Sequence, residues 1–386
     1  MKRINSIDIV RGLVMIIMTL DHTRDLLHVD SITHQPTDLT VATPILFFTR
    51  WITHLCAPTF VFLSGVSAFI SFKNKDNVTA SRNHLLTRGI WLIILDLTLV
   101  NFGVWFDVHF SVFLFDVLSA IGFGFIILAL LLKTPLNTIG FIGLMIIFLH
   151  NLSPIIPLAE TSTFKTFLMP FFSPAAFQLS GGITFVVGYP PIPWLGIMLV
   201  GFSTSRIFEQ TIENRKKIFL KIGLVSLLLF VALRTINIYG DSFQWATQKN
   251  SFYTFLSFIN VTKYPPSLLF CLLTLGIMFF ILTAMEGVQN KLTDIATVFG
   301  KVPLFYFVIH WFIIHPLMFA MVFLQGFKSS ELLFGFNFGR PKDGSGVNLW
   351  AIYLIWVLVV AMLYPICKWY GNYKQNNRQI KWLSYF

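Results

Sequence analysis

Charge is what this sequence has least of. Only 12% of its 386 residues are Asp, Glu, Lys or Arg, about half the share of an ordinary soluble domain. So few charged side chains cannot cover a water-facing surface of this size, which excludes a large soluble enzyme. Cysteine is scarce as well. Cys56, Cys271 and Cys367 all lie inside apolar runs with no CxxC or metal spacing, so they read as small core residues. The nine histidines contain no closely spaced metal set. The motifs GxxxxGK[ST], HExxH and GxSxG are missing, and no metal or redox cofactor is expected. No internal repeat is visible, which withholds support from an inverted-repeat transporter.

What is abundant is apolar bulk. Hydrophobic residues make up 55% of the chain, with 43 Phe and 10 Trp, and the mean hydropathy is +0.74. That excludes disorder. Length alone would suggest two or three soluble domains. The apolar runs replace that expectation with an all-α, polytopic membrane protein, one domain over residues 1–386. A span needs about 20 mostly apolar residues. About ten such stretches occur, centred near Met15, Phe60, Ile94, Phe123, Met145, Met198, Leu227, Thr274, Trp311 and Val357. The fifth is the shortest, and the ninth is expected to be long and broken by Pro303 and Pro316.

The formal net charge is +11, yet the basic residues sit in short segments between apolar runs, so nucleic acid is not an expected partner. With a cytoplasmic N-terminus, Lys73, Lys75, Arg82, Arg88, Lys133, Arg206, Arg215, Lys216, Lys217, Lys291 and Lys301 fall on the cytoplasmic side. The tail basics Lys368, Lys374, Arg378 and Lys381 fall there too. The opposite loops carry few basic residues, the loop with Lys328, Arg340 and Lys342 being a modest exception. Ten spans with both ends in the cytoplasm satisfy the positive-inside rule. Lys2 and Arg3 precede an apolar run as in a signal peptide. That run leads into Asp21, His22, Arg24 and Asp25, so a retained first helix is expected. The segment from Phe164 to Phe177, cut by Pro170 and Pro174, is too short to span and is expected to lie in the interface or fold back over the bundle.

Ionisable groups inside a membrane are costly and mark function by default. The first helix is rich in them. Arg11 and His22, eleven residues apart, share a helical face about 16 Å apart, with Met15 and Met18 between them. Asp25 is placed to reach the His22 ring. A cation near the cytoplasm can hold a phosphate-bearing donor, and a deeper His–Asp pair can act as general base toward a hydroxyl or amine. The plainer alternative pairs Arg11 with Asp8 and His22 with Asp25 for structure alone. Arg50 and His54 at i, i+4, and Tyr306 and His310 at i, i+4, are read as further lining of a substrate path with Asp21, or else as structural pairs. Ser64-Gly65 suggests close helix packing. Asp96 or Asp116 is expected to neutralise Arg88 or Arg234.

Several blocks together carry a resemblance. They are Arg3-Ile-Asn-Ser-Ile-Asp8-Ile-Val-Arg11-Gly12 leading to Asp21-His22-Thr-Arg24-Asp25, then Ala57-Pro58-Thr-Phe60-Val-Phe62-Leu-Ser64-Gly65, Lys263-Tyr264-Pro265-Pro266-Ser267, Gly300-Lys-Val-Pro303-Leu-Phe-Tyr306 and Leu363-Tyr364-Pro365. In this order they resemble the bacterial branch of the heparan-alpha-glucosaminide N-acetyltransferase catalytic-domain family. Its members belong to the transmembrane acyltransferases, which pass an acyl group, often acetyl from cytoplasmic acetyl-CoA, to a sugar across the membrane. A more distant likeness to the acyltransferase-3 family rests on Asp8-x-x-Arg11 and on His22 eleven residues after that Arg. In the animal lysosomal members the acting His lies just before the second helix. His28 and His34 occupy that loop here without a matching position, so neither that mechanism nor heparan as acceptor carries over.

The resemblance implies His22 as base or acyl relay, oriented by Asp25, and Arg11, with Arg88, holding coenzyme A. Asp21, Arg50, His54, Tyr306 and His310 would line the path. Acetyl-CoA or another acyl-CoA is the implied co-substrate. The implied partners are acyl-CoA, a carbohydrate or other envelope acceptor, and membrane lipid, with a homodimer left open. The implied location is the bacterial cytoplasmic membrane. The competing reading is a transporter or lipid flippase whose in-membrane His, Asp and Arg residues line a permeation path.

Overall fold

A computed structural model describes residues 4–75, 77–155, 162–377, 379–380 and 382–383. Lys2, Arg3, Arg378 and Lys381 of the charge pattern lie outside the described residues. In chain order the first helices are α1 (Asn5–Leu27), α2 (Pro44–Trp51), α3 (Cys56–Lys75), α4 (Val78–Leu95) and α5 (Asn101–Trp105). Strand β1 (Val112–Phe115) is followed by α6 (Val117–Leu131), α7 (Leu136–Leu149) and α8 (Thr163–Leu168). Strands β2 (Ala175–Gln178) and β3 (Thr184–Val187) precede α9 (Pro191–Ser203) and α10 (Ile212–Ile236). The last are α11 (Ser251–Ile259), α12 (Leu268–Met285), α13 (Lys291–Lys301), α14 (Pro303–Leu324) and α15 (Leu349–Asn376).

All ten expected centres fall on helices, and the chain is mostly helical. Among the described residues, seven helices are long and apolar enough to cross a membrane: 44–75, 78–105, 136–153, 212–236, 268–285, 303–324 and 349–376. The other three centres sit on α1, α6 and α9. α6 and α9 have 15 and 13 residues, short of the about 20 a span requires. α1 has 23 residues but carries Asp8, Arg11, Asp21, Arg24 and Asp25, which lower its hydropathy.

α1 is the central element. It packs against α13, α14, α15 and α3, and most of its side chains are buried, the acidic ones Asp8 and Asp21 included. Two glycines set its closeness to α13. A Cβ on Gly12 would fall 1.8 Å from the Ala296 carbonyl oxygen, and one on Gly300 would fall 1.8 Å from that of Asp8. Only glycine lets two backbones approach so closely. Gly65 plays the same part for α3, where a Cβ would lie 2.2 Å from the Met198 carbonyl of α9.

Proline placement shapes two helices differently from expectation. Pro303 opens α14 at its first turn, where its missing N–H costs nothing. Pro316 lies within α14 without interrupting it, so the ninth span is broken once. In the second span, Pro58 offers no N–H to the His54 carbonyl. Residues Ile52–Leu55 tighten into a 3-10 turn there, which changes the angular spacing of Arg50 and His54 from that of a regular α-helix.

A small sheet was not foreseen. β1 runs parallel to β3, with Val112 opposite Thr184 and Phe115 opposite Val187, and β2 pairs antiparallel to β3. The Phe164–Phe177 stretch thus folds back onto the chain through α8 and β2. Arg340 is also more than a loop charge. It is 1% exposed and donates to the carbonyls of Leu26 (3.2 Å) and His28 (2.9 Å). It thereby satisfies acceptors that the C-terminal end of α1 leaves open. Burial pulls its guanidinium down to about 10 from the usual arginine range.

Candidate functional site

The C-terminal half of α1 carries a dense set of paired charges. Arg24 donates to Asp21 Oδ1 (2.8 Å) and Asp25 Oδ1 (2.6 Å). Arg50, from α2, donates to Asp21 Oδ2. Asp21 is therefore held between two guanidinium groups, which is what a buried carboxylate needs. Asp25 accepts from Arg24 and makes no hydrogen bond with His22, so the expected His22–Asp25 pair is not formed.

His22 is paired elsewhere. Its Nδ1 lies 2.6 Å from His310 Nε2 on α14, and its ring stacks on Trp311 with centroids 4.2 Å apart. His310 is fully buried, and its Nδ1 makes no hydrogen bond to a described residue. The contact takes one proton: with it on His22 Nδ1 and His310 Nε2 as acceptor, His310 carries its own proton on Nδ1. His22 Nε2 then keeps its lone pair. No hydrogen bond to a described residue occupies that nitrogen.

His22 faces a cavity of about 250 Å³. Asp21, Asp25, Arg50, Asp116, Lys263, Tyr189, Tyr264, Trp105 and Trp311 share its wall. Asp116 enters it for a local reason. It is the N-cap residue of α6, but its side chain does not cap. Asp96, which directly follows α4, caps instead, accepting from the backbone N–H of Asp116 and Ser119, each at 2.9 Å. The Asp116 carboxylate is thereby released to the cavity. Asp96 serves a helix end, and Arg234 donates to the carbonyls of Phe243, Ser257, Phe258 and Asn260. The expected neutralisation of Arg234 by Asp96 or Asp116 is replaced by backbone acceptors.

Toward the N-terminal half of α1 lies a second, smaller cavity of about 80 Å³. Arg11 and Arg88 both line it, with Met15, Ser64 and Phe125. Arg11 pairs with Asp8 at 3.6 Å and donates to Ser67 Oγ at 2.8 Å. The Arg88 guanidinium sits 5.7 Å from the Phe125 ring centroid. Phe60, Val117 and Phe307 belong to the walls of both cavities. Three side chains therefore stand between the Arg11–Arg88 chamber and the His22 chamber.

The sequence-derived set is thus sorted in space. His22, Asp25, Asp21 and Arg50 come together in one chamber, and Arg11 and Arg88 in the other. His54, Tyr306 and His310 do not line the path. His54 packs edge-on to Phe270 at 5.6 Å. Tyr306 is buried with its hydroxyl 2.5 Å from Thr19 Oγ1, on the inner side of α14. His310 stands behind His22. Sequence reasoning missed Asp116 and Lys263 as members of the chamber, and Arg24 as the partner of its carboxylates Asp21 and Asp25. For Lys263 a signal existed, since it opens the Lys263-Tyr264-Pro265-Pro266-Ser267 block.

Seven long apolar helices around a central, charge-bearing helix fit an integral membrane protein with an ionisable internal site. The family model described as "Heparan-alpha-glucosaminide N-acetyltransferase, catalytic" matches residues 3–240, more than half of the chain, and the protein belongs to that family. The membership makes it a member of a transferase family. A search of curated proteins finds no match. The matched region holds Arg11, His22, Asp25, Arg50, Arg88 and Asp116, whereas Lys263, Phe307, His310 and Trp311 lie beyond it.

Proposed function

We propose that this protein moves an acetyl group from acetyl-CoA, bound at the Arg11–Arg88 chamber, to a carbohydrate or other envelope acceptor in the His22 chamber. The observation that carries the reading is the pairing of His22 Nδ1 with His310 at the wall of the larger cavity; in our reading Nε2 is the free base. Arg11 and Arg88 hold the anionic groups of coenzyme A. The pantetheine arm reaches past Phe60, Val117 and Phe307 to present the thioester. His22 Nε2 takes the proton of the acceptor hydroxyl or amine as that atom attacks the carbonyl carbon. The carbon–sulfur bond breaks, and the thiolate leaves with the proton returned from His22. His310 orients the His22 ring and fixes its tautomer, the part first assigned to Asp25. The whole chain acts as one unit, because α14 supplies His310 to a base on α1. The donor side is the cytoplasm and the acceptor side the opposite face of a bacterial cytoplasmic membrane.

The test supplies radiolabelled acetyl-CoA to purified protein in detergent, with and without an envelope-glycan extract. CoA release or label transfer that disappears in His22→Ala supports the reading. Folded protein that binds no acyl-CoA and moves a solute across vesicles without it would overturn it in favour of transport.

A further inference from the structure

The transfer reaction, as argued above, leaves two basic side chains of the larger chamber unused: Arg50, which is paired with Asp21, and Lys263. Lys263 is 8% exposed, lines the cavity, and among the described residues has no carboxylate in ion-pairing reach and no side-chain hydrogen bond. Two of the three acids on the same wall are taken, and the third, Asp116, makes no ion pair with Lys263 within 4 Å. Asp21 is held by Arg24 and Arg50, and Asp25 by Arg24. What surrounds the ammonium is aromatic: its Nζ lies 4.9 Å from the Tyr264 ring centroid and 5.9 Å from that of Tyr189. Ring faces soften the burial of a cation but do not replace a counter-ion.

The segment that presents Lys263 is fixed from both sides. Asp241 accepts from the Thr262 N–H (2.9 Å), from Thr262 Oγ1 (2.6 Å) and from Ser267 Oγ (2.7 Å). One carboxylate thus clamps the chain just before Lys263 and again four residues after it. A buried ammonium held on a clamped turn and aimed into a cavity without a partner is arranged for a ligand that brings the negative charge. Asp116 faces the same space, and among the described residues no side chain donates to its carboxylate. It can accept from a hydroxyl of the same ligand.

We propose that Lys263 is the specificity residue of the acceptor chamber and that the acceptor is a sugar carrying an anionic substituent, a carboxylate or a phosphate. The anionic group pairs with Lys263, and a ring hydroxyl donates to Asp116. This places the reacting hydroxyl or amine on the side of the sugar that faces His22. The inference rests on the reading of this cavity as the acceptor site.

The experiment measures binding without acyl-CoA, so that it does not depend on the transfer reaction. Full-length protein in detergent is titrated with glucuronate, glucose 6-phosphate and glucose, and thermal unfolding is followed. Wild type and Lys263→Arg are expected to be stabilised by one or both anionic sugars and not by glucose, and whichever acts identifies the substituent. Lys263→Gln, which removes an unpaired buried charge and leaves the fold intact, is expected to weaken that binding about tenfold. Stabilisation by glucose equal to that by the anionic sugars, a shift unaffected by Lys263→Gln, or no binding of any of the three overturns the inference. Acetyl transfer is assayed in parallel. Sugar binding that depends on Lys263 in a protein that never transfers acetyl sinks the transferase reading alone. Transfer that proceeds equally to neutral and anionic sugars sinks the Lys263 inference alone.

Discussion

α1 and α10 are nearly the same length, 23 and 25 residues, and they are opposites in every other respect. Buried residues number 16 of 23 in α1 and four of 25 in α10. α10 passes the test for a membrane-crossing helix, while α1 does not. Of these two, the helix that reads as a span is thus the one whose side chains face outward. The other is at the centre. In lipid an apolar surface gains nothing by being covered, so an apolar helix can lie outside, as α10 does, or inside, as α12 does with 67% of its apolar stretch buried. Charges inside the bundle must be paired or used, so they record where the site is. The comparison makes two kinds of prediction: large effects from small changes on α1 and its neighbours, and near silence from changes on the outer face of α10.

The largest effect is expected from His22→Ala. Removing a general base lowers turnover by about 10²- to 10⁴-fold, and CoA release by the folded variant would show it. If turnover survives, α1 is central for packing alone. Next is Gly12→Ala. The added Cβ would meet the Ala296 carbonyl 1.8 Å away, so α1 and α13 must separate, at a cost of about 3 kcal/mol in stability. Thermal unfolding in detergent measures it, and an unchanged midpoint would mean that the two backbones are not in contact. His310→Ala removes the acceptor for His22 Nδ1 and is expected to lower turnover about tenfold to hundredfold. His310→Gln, which can still accept that hydrogen bond, should recover part of the loss. Recovery by Gln distinguishes orientation of the ring from simple packing. Arg11→Gln and Arg88→Gln each remove one charge from the donor chamber. Each is expected to raise KM for acetyl-CoA about tenfold while leaving kcat nearly unchanged.

The contrast also explains what could be read from the sequence. Every apolar centre falls on a helix because a continuous apolar run is a local signal. The run alone did not separate helices that cross from shorter ones, since α6 and α9, at 15 and 13 residues, are as apolar as their longer neighbours. The stripe from Arg11 to His22 was legible because an unbroken helix carries its own periodicity. Where periodicity fails, so did the reading. Arg50 and His54 share a face only in an uninterrupted α-helix, and Pro58 prevents that. The His22 partner was misassigned because Asp25 is three residues away in sequence whereas His310 is 288 away. Lys263 follows α11 in a turn whose orientation depends on Asp241, and spacing says nothing across such a turn. β1, Val-Phe-Leu-Phe, shows no alternation of polar and apolar residues and reads like any buried segment.

The smallest expected effect is the one that tests the other half of the comparison. Leu228 on α10 is 60% exposed, on the face read as meeting lipid. A core leucine cut to alanine costs about 2–5 kcal/mol, because transfer free energy is lost and a cavity remains. At Leu228 neither term applies. The removed methyl groups are replaced by detergent or lipid tails of the same polarity, and no enclosed void is left behind. Leu228→Ala is therefore expected to change stability by less than about 0.5 kcal/mol and acetyl transfer not at all. A shift of several degrees in the unfolding midpoint would mean that this face of α10 is covered, by a second copy of the chain or another protein. The outward side of the bundle would then be an interface.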